Sequence, residues 1–481
     1  MEHISAALIK HSNFGDKRLS KRFGTIITQL GAHIGQSIPK SSVNTHQSKA
    51  VYRFMDNDQV TPQELISAEQ SRIYEQLISA PPRVLIQIQD TTTLNYSDSK
   101  AKIHLPCLNY TTHLGYFAHT SLLMNDKGLL YGIFEQDFYG RAPESLGQGR
   151  RATSIEKSSP IETKENDRWL RQFDSFQSLL STKGLEKTQG FSVSDRESDI
   201  YELFACKTQY NADLIVRCQY DRFVAQCDQN DVKILSHLAQ IPSQGQYFID
   251  VLMKDNKHHT RNVELEVRFC PIAIKIPDTL KYSSATPNLT KKWAKENAAI
   301  DLYFVQVKEV NPPKGVQAIE WTIITTKKIT NYWEAIEIVR IYALRWRIEI
   351  FHLVLKEGCA VEKLELETPE RLLNAITIYS IIAAQITQLR YFSLCDPTAP
   401  MTVSGCNTKQ YNILVRYLNT NHCFKLPLEK TQNIPTIKDF LQIVAFLGGG
   451  KKNNMWGIRA LWIGWNKANI IFKTILAIES S

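Results

Sequence analysis

Tyr342-Ala343-Leu344-Arg345-Trp346-Arg347-Ile348-Glu349-Ile350-Phe351-His352-Leu353-Val354-Leu355-Lys356 is the most informative run in this 481-residue chain. It lies within Tyr332 to Glu357, which reads as one long helix. Asn331 can cap its start, Glu334 stands three residues later, and Gly358 can stop it. Tyr342, Arg345, Glu349, His352 and Lys356 are spaced 3, 4, 3 and 4. At 3.6 residues per turn they share a stripe roughly 80° wide. Most of the remaining surface is apolar: Ile341, Leu344, Ile348, Ile350, Phe351, Val354 and Leu355. Ionised groups are costly to bury unpaired. The stripe must therefore face water, a partner charge, a metal or a ligand. The plain alternative is a solvated face carrying an Arg345–Glu349 i,i+4 pair.

Working outward, two aspartates sharpen the choice. Arg83 to Asp90 (R-V-L-I-Q-I-Q-D) alternates and is β-branched, so it reads as a strand ending in Asp90. Gln189 to Asp195 reads as a second short strand, again ending in aspartate. Ligand crevices of α/β sheets form at such strand ends, although a lone aspartate there is more often a turn or cap residue. With Glu349 they give three carboxylates on separate elements that could converge. Such a cluster repels itself unless cations neutralise it. Magnesium takes hard oxygen ligands, commonly one or two carboxylates plus substrate phosphates. Two such ions ~3.5–4 Å apart serve in-line phosphoryl transfer. Arg345 and Lys356, flanking Glu349, suit phosphates.

The rest of the chain fits an α/β protein. Residues 1–80 read as helical, with one stripe through Leu19, Phe23, Ile26 and Leu30, a short helix at Thr45–Met55, and a third starting at the capping pattern Thr61-Pro62-Gln63-Glu64. Leu114–Leu123 and Leu129–Phe138 flank Asn125-Asp126-Lys127-Gly128 as a hairpin. Residues 141–165 read as a long polar loop. A helix through Trp169 and Leu180, another over Ser198–Ala205 and a strand at Asp213–Cys218 follow. Residues 220 to 328 read as mostly strands, including Val263–Cys270, stopped by Pro271, and Ile300–Val310. Leu372–Leu389 is apolar but carries Asn374, Thr377, Ser380, Gln385, Thr387 and Gln388, so it reads as a buried core helix and not a membrane span.

Composition is that of an ordinary globular chain, 43% hydrophobic and 22% charged, which excludes a disordered, collagen-like or disulfide-framework class. The net charge of +9 fits a polyanionic partner. Nine cysteines without a C-x-x-C pair argue against zinc and for a reducing cytosol. Lys17, Arg18, Lys21 and Arg22 recur at i and i+4, and Lys40, Lys49 and Arg53 follow. This is a face able to neutralise phosphates, or else merely a solvated one. Lys451-Lys452 follows three glycines but lacks P-loop spacing.

The run from Tyr342 to Lys356 matches Y-x2-R-x3-E-x6-K, and so resembles the signature of DDE transposases of the bacterial insertion-sequence-four family, of the transposon-five type. The resemblance extends along the chain through Phe14-Gly15-Asp16-Lys17-Arg18-Leu19, Ala50-Val51-Tyr52-Arg53-Phe54, Gln89-Asp90-Thr91-Thr92, Ser194-Asp195-Arg196-Glu197-Ser198-Asp199-Ile200, Asn311-Pro312-Pro313-Lys314-Gly315 and Leu461-Trp462-Ile463-Gly464-Trp465. It implies a helical DNA-end-binding domain over 1–80 and a ribonuclease-H-like catalytic core over 81–374. A β-rich insertion would interrupt that core at about 220–328, and a helical, dimerising C-terminal domain would cover 375–481. It implies Asp90, Asp195 and Glu349 as catalytic ligands of Mg2+, with Mn2+ able to substitute. Tyr342 and Arg345 would hold a phosphate beside a flipped base, Trp321 would stack on that base, and Arg217 would contact the DNA backbone. Leu353 stands where some relatives carry a second lysine; Lys356 is present.

The implied activity is cut-and-paste transposition: end nicking, hairpin formation and resolution, then strand transfer. The implied partners are double-stranded DNA, as terminal inverted repeats and target, and a second copy of the chain in a paired-end complex. The implied location is the bacterial cytoplasm, at the nucleoid, with no membrane. A ribonuclease-H-like nuclease without strand transfer, a non-catalytic end-binding regulator and a metal-free glycosidase built on paired carboxylates are the competing readings.

Overall fold

A computed structural model describes residues 2–99, 105–146, 165–206, 212–225, 232–252, 260–276, 299–420, 435–450 and 457–480. Most of the expected 141–165 loop, and Lys451-Lys452, lie outside them. The chain is mixed α/β. Helices α1 (Glu2–His11), α2 (Lys17–Gly31), α3 (Ile38–Ser41), α4 (Thr45–Met55) and α5 (Pro62–Ser79) open it. Strands β1 (Val84–Asn95), β2 (Gly115–Asn125) and β3 (Leu130–Tyr139) follow, then α6 (Asp167–Leu180), β4 (Gln189–Ser194), α7 (Tyr201–Cys206) and β5 (Asp213–Arg217). Next come α8 (Ile234–Gln240), β6 (Gly245–Leu252), β7 (Thr260–Lys275), β8 (Ala299–Glu309) and β9 (Glu320–Thr325). Helices α9 (Tyr332–Ala343), α10 (Trp346–Leu353), α11 (Pro369–Cys395), α12 (Thr408–Thr420), α13 (Ile437–Leu447) and α14 (Ile458–Ser480) complete it.

The chain forms two compact units. The first comprises Met1–Pro81, Thr91–Gly147 and Arg347–Ser481; the second comprises Pro82–Asp90 and Gln148–Trp346.

In the first unit, local capping starts the head helices as their sequences dictate. Asp16 accepts from the Arg18 N–H to open α2, Asn44 from Gln47 to open α4, and Thr61 from Glu64 to open α5. Phe23, Ile26 and Leu30 are buried along one side of α2, where Phe23 stacks with Phe54 of α4 and Phe14 meets both edge-on. Strands β2 and β3 form the expected hairpin, with Thr120 opposite Gln136. Helix α11 is long and apolar enough to cross a membrane, and 89% of its apolar window is buried inside the protein. Its polar side chains are placed accordingly. The Asn374 amide donates to the Met55 and Val60 carbonyls, Thr377 and Thr387 bond back one turn, Ser380 meets Gln136, and Gln388 donates to the Leu130 carbonyl. Buried hydroxyls and amides are tolerated when so partnered.

In the second unit the strand order is β1-β4-β5-β9-β8-β7-β6. The pairs β1–β4 and β4–β5 are parallel; β5–β9, β9–β8, β8–β7 and β7–β6 are antiparallel. Helix α6 packs Trp169, Phe173 and Phe176 into this unit's core. Asp199, in the Ser194–Ile200 motif, is fully buried. It pairs with Arg222 at 2.6 Å and accepts the Gln219 and Tyr220 N–H groups. Asp199→Ala strands the Arg222 charge, and we expect it to cost about 3–5 kcal/mol. Urea unfolding checks this; a loss under about 1 kcal/mol would contradict it.

Several expectations need correction. The strand beginning at Arg83 does not stop at Asp90: β1 continues through the β-branched run Thr91-Thr92-Thr93 to Asn95. Pro271 does not end its strand; β7 runs to Lys275 with Pro271 opposite Tyr303. Pairing with β6 has already ended at Val267, and on that side residues 269, 273 and 275 bond instead to Gln244, Ala225 and Phe223, so the missing Pro271 N–H costs no bond of the β6 or β8 ladder. The β-rich stretch also contains α8, and the helix expected from Ser198 begins as a 3-10 turn at Arg196–Ser198. The expected helix from Tyr332 to Glu357 is broken. It tightens at Leu344 and Arg345, whose N–H groups bond to the Ile341 and Tyr342 carbonyls, and Val354–Gly358 is a π-turn.

Candidate active site and nucleic-acid interface

The parallel β1–β4 ladder sets the site in the second unit. Its last pair is Ile88 with Val193. Asp90 and Asp195 each stand two residues further on, so both lie on the Ile88/Val193 face, Asp90 within β1 and Asp195 just past the end of β4, on neighbouring strands about 4.8 Å apart. Ile88 and Val193 are fully buried, so the aspartates stand at the rim of a dry core.

Each carboxylate has a local partner. Asp90 is 8% exposed, and its carboxylate accepts a hydrogen bond and ion pair from the Arg345 guanidinium at 3.2 Å. Asp195 caps the turn Arg196–Ser198 by accepting the Glu197 N–H at 2.9 Å. The Arg345 guanidinium also lies over the Trp346 indole, 5.6 Å from its centre.

Tyr342 is buried and meets Trp321 edge-to-face at 5.4 Å. Its hydroxyl bonds to the Arg217 guanidinium. Burial pushes the Tyr342 pKa up, while Arg345 and Arg217 pull the other way, so the phenol stays neutral at pH 7. Arg217 ends β5 and also donates to the Glu320 carbonyl at 3.0 Å. Trp321 sits in β9 opposite Val307, half-buried. Asp90, Asp195, Arg217, Trp321, Tyr342 and Arg345, scattered over the sequence, thus meet in one unit.

Glu349, His352 and Lys356 belong to the first unit. Glu349 is half-buried and His352 buried. The Lys356 ammonium donates to the Thr93 carbonyl at 2.9 Å and pairs with Glu362 at 3.3 Å. Arg347 lies over the Tyr391 ring at 3.9 Å and donates to the Gly128 carbonyl. Gly128 has φ +76°, and a Cβ there would strike that guanidinium. The α10 helix start is thus tied to the hairpin turn.

Sequence reading missed two groups, one beside Asp195 and one beside Arg345. Glu197 pairs with buried Arg168 at 3.1 Å; desolvation first, and then the Asp195 charge, raise its carboxyl pKa. Trp346, adjacent to Arg345, is 58% exposed. Its signal was an aromatic side chain placed off the apolar faces of the helix. Carboxylates are the hard oxygen donors that divalent cations take, so the Asp90 and Asp195 donor set fits Mg2+ or Mn2+.

At the other end of the chain, Lys17, Arg18, Lys21, Arg22, Lys40, Lys49 and Arg53 are all exposed in the first unit. Arg18 pairs with Asp16 at 2.8 Å. Lys17/Lys21 and Arg18/Arg22 each repeat one turn apart on α2. Residues 1–60 match the family model of the transposase DNA-binding domain. The whole chain is similar to one in a cryo-EM structure of the piggyBac transposase synaptic complex with hairpin DNA. Identity is 9%, covering 96% of this chain and 73% of that one, with a TM-score of 0.35. That likeness is too remote to assign chemistry.

The segment that matches the family model is secured to the C-terminal helices of its own unit. Arg371 grips Asp56 at 2.7 and 2.8 Å, and the Trp465 indole donates to the Gly31 carbonyl. The Asn466 side chain accepts from the Ile34 N–H at 2.8 Å and donates to the Ile34 carbonyl at 2.7 Å. Asn466→Ala leaves both backbone groups unpaired. We expect it to lower stability by about 1–3 kcal/mol, measurable as a shifted urea midpoint at unchanged slope.

Proposed function

We propose that the chain is a DNA transposase of the DDE type, resembling the insertion-sequence-four family, that moves an insertion sequence by cut-and-paste. The observation that carries this reading is the meeting of Asp90, Asp195, Tyr342, Arg345, Trp321 and Arg217 in the second unit. The transposase DNA-binding segment at residues 1–60 supports it. The parallel β1-β4-β5 order supports a ribonuclease-H-like core over 81–374 with a β-rich insertion at about 220–328. The helical segments 1–80 and 375–481 serve end binding and dimerisation in this reading.

Asp90, Asp195 and Glu349 would hold Mg2+, or Mn2+ in its place. The bound ions would neutralise the carboxylates and polarise the phosphate under attack. Arg345 would exchange Asp90 for a phosphate of the end DNA, with Lys356 as a second cation. Tyr342 and Arg217 would position that backbone, and Trp321 would receive the flipped base. Water attacks first and releases a 3′ hydroxyl. That hydroxyl attacks the opposite strand to close a hairpin and, after resolution by water, attacks target DNA.

The partners are terminal repeats, target DNA and a second copy of this chain, at the bacterial nucleoid. Incubating the full chain with Mg2+ and end DNA tests the reading: hairpin ends and joined products are expected. Simple breaks without joined products would favour a ribonuclease-H-like nuclease, and end binding without cleavage a regulator. Each cation of the head face that meets a phosphate should contribute about 0.9 to the log–log salt slope of end binding. Lys21→Ala and Arg22→Ala together should lower that slope by about 2 if both touch DNA, read by fluorescence anisotropy across salt.

A further inference from the structure

Directly behind the two aspartates, on the opposite face of β1 and β4, lies a buried polar network that the proposed chemistry does not use. Gln87, Gln89, Ser192 and Gln172 are each 2% exposed or less. The Gln89 amide nitrogen donates to the Gln87 side-chain oxygen and to the Ser192 hydroxyl, both at 3.1 Å. Ser192 in turn donates to the Gln87 oxygen at 2.9 Å, and the Gln87 amide donates to the Gln172 carbonyl of α6 at 2.8 Å. Gln87 and Ser192 are register partners, so the closed triangle crosses the β1–β4 ladder just before its end.

Such a network is unusual, because apolar side chains would fill this core without needing partners. The other face of the same strands is apolar up to the rim: Ile86, Ile88, Phe191 and Val193. Those groups pack without direction. The amide and hydroxyl pairs do not, because each bond holds at one distance and angle. The network therefore fixes how β1 sits against β4 at the level of the two aspartates. Gln89 is the residue directly before Asp90, so holding its side chain also holds the Asp90 backbone.

We propose that Gln87, Gln89 and Ser192 are positioning residues that keep Asp90 and Asp195 level for a shared divalent cation. This rests on the reading of those aspartates as metal ligands. Partners behind metal ligands commonly alter metal affinity by about 10–100-fold when removed.

The test uses the full chain without DNA and Mn2+ as probe, followed by its paramagnetic signal. Gln89→Met keeps the volume and removes the amide. It should weaken Mn2+ binding by about tenfold or more while leaving the thermal midpoint near wild type; Ser192→Ala should weaken it less. Asp90→Ala should remove most of the binding. Wild-type Mn2+ affinity in both Gln89→Met and Ser192→Ala, with Asp90→Ala impaired, would overturn the network's role and leave the metal reading standing. Unchanged affinity in Asp90→Ala would overturn the metal reading and this proposal with it. Should Gln89→Met fail to fold, Ser192→Ala carries the test, since it deletes a single hydroxyl.

Discussion

Alanine at Asp90, Asp195 or Glu349 is expected to slow strand cleavage by about 10³-fold or more while end DNA still binds. A loss of that size corresponds to about 4 kcal/mol of transition-state stabilisation, as expected when an anchor for the charged phosphate site is removed. Binding should persist because residues 1–60, which match the transposase DNA-binding model, hold none of the three. The measurement is single-turnover nicking of labelled end DNA in Mg2+, beside a gel-shift titration. Asp90→Ala has a side effect that must be separated: it removes the carboxylate that pairs with Arg345 at 3.2 Å. Removing a negative charge beside Arg345 favours the approach of a phosphate, so tighter binding with lost cleavage agrees with the assignment. Cleavage at the wild-type rate in any one variant removes that residue from the site. EDTA should abolish cleavage in the wild type; persistence in EDTA would favour metal-free carboxylate chemistry.

Trp321→Ala should leave the first nick nearly intact and slow hairpin closure. Stacking a base on an aromatic ring is worth about 1–3 kcal/mol, so closure should fall by roughly 5–150-fold. Trp321→Phe should recover part of that rate. The indole also packs edge-on against Tyr342, an interaction worth about 0.5–1.5 kcal/mol, so a small stability loss is expected in parallel. An abasic site in place of the flipped base removes the need for a platform; on that substrate the mutant and wild type should converge. Hairpin closure unaffected in Trp321→Ala, at full nicking, would reduce Trp321 to a packing residue of β9.

The local chemistry of the chain carried much of the architecture. The caps at Thr61 and Asn331 were readable because a side-chain acceptor two or three residues before a free N–H is a short-range event. The hairpin around Asn125–Gly128 was readable because its turn needs a glycine at positive φ. The buried character of α11 was readable from six polar residues that lipid would not accept, and most of them find partners in the core. The break at Leu344–Arg345 was not readable, since Ile341 to Leu355 keeps a helical apolar pattern throughout. Pro271 misled because its cost depends on which side of the strand has a neighbour, and β6 ends before reaching it.

The candidate site divides in the same way. Residue types and spacing in the run from Tyr342 to Lys356, with an aspartate following each of two strand patterns, were enough to nominate Asp90, Asp195, Glu349, Tyr342 and Arg345. Those patterns repeat every two to four residues and need no partner to be recognised. That Arg345 rests on Asp90, that Trp321 leans on Tyr342, and that Gln89 meets Ser192 on the far face are pairings of residues 255, 21 and 103 positions apart. No short-range periodicity encodes them. They arise only when strands find their register and helices pack, because burial and hydrogen-bond direction select one mutual placement among many that the local pattern allows.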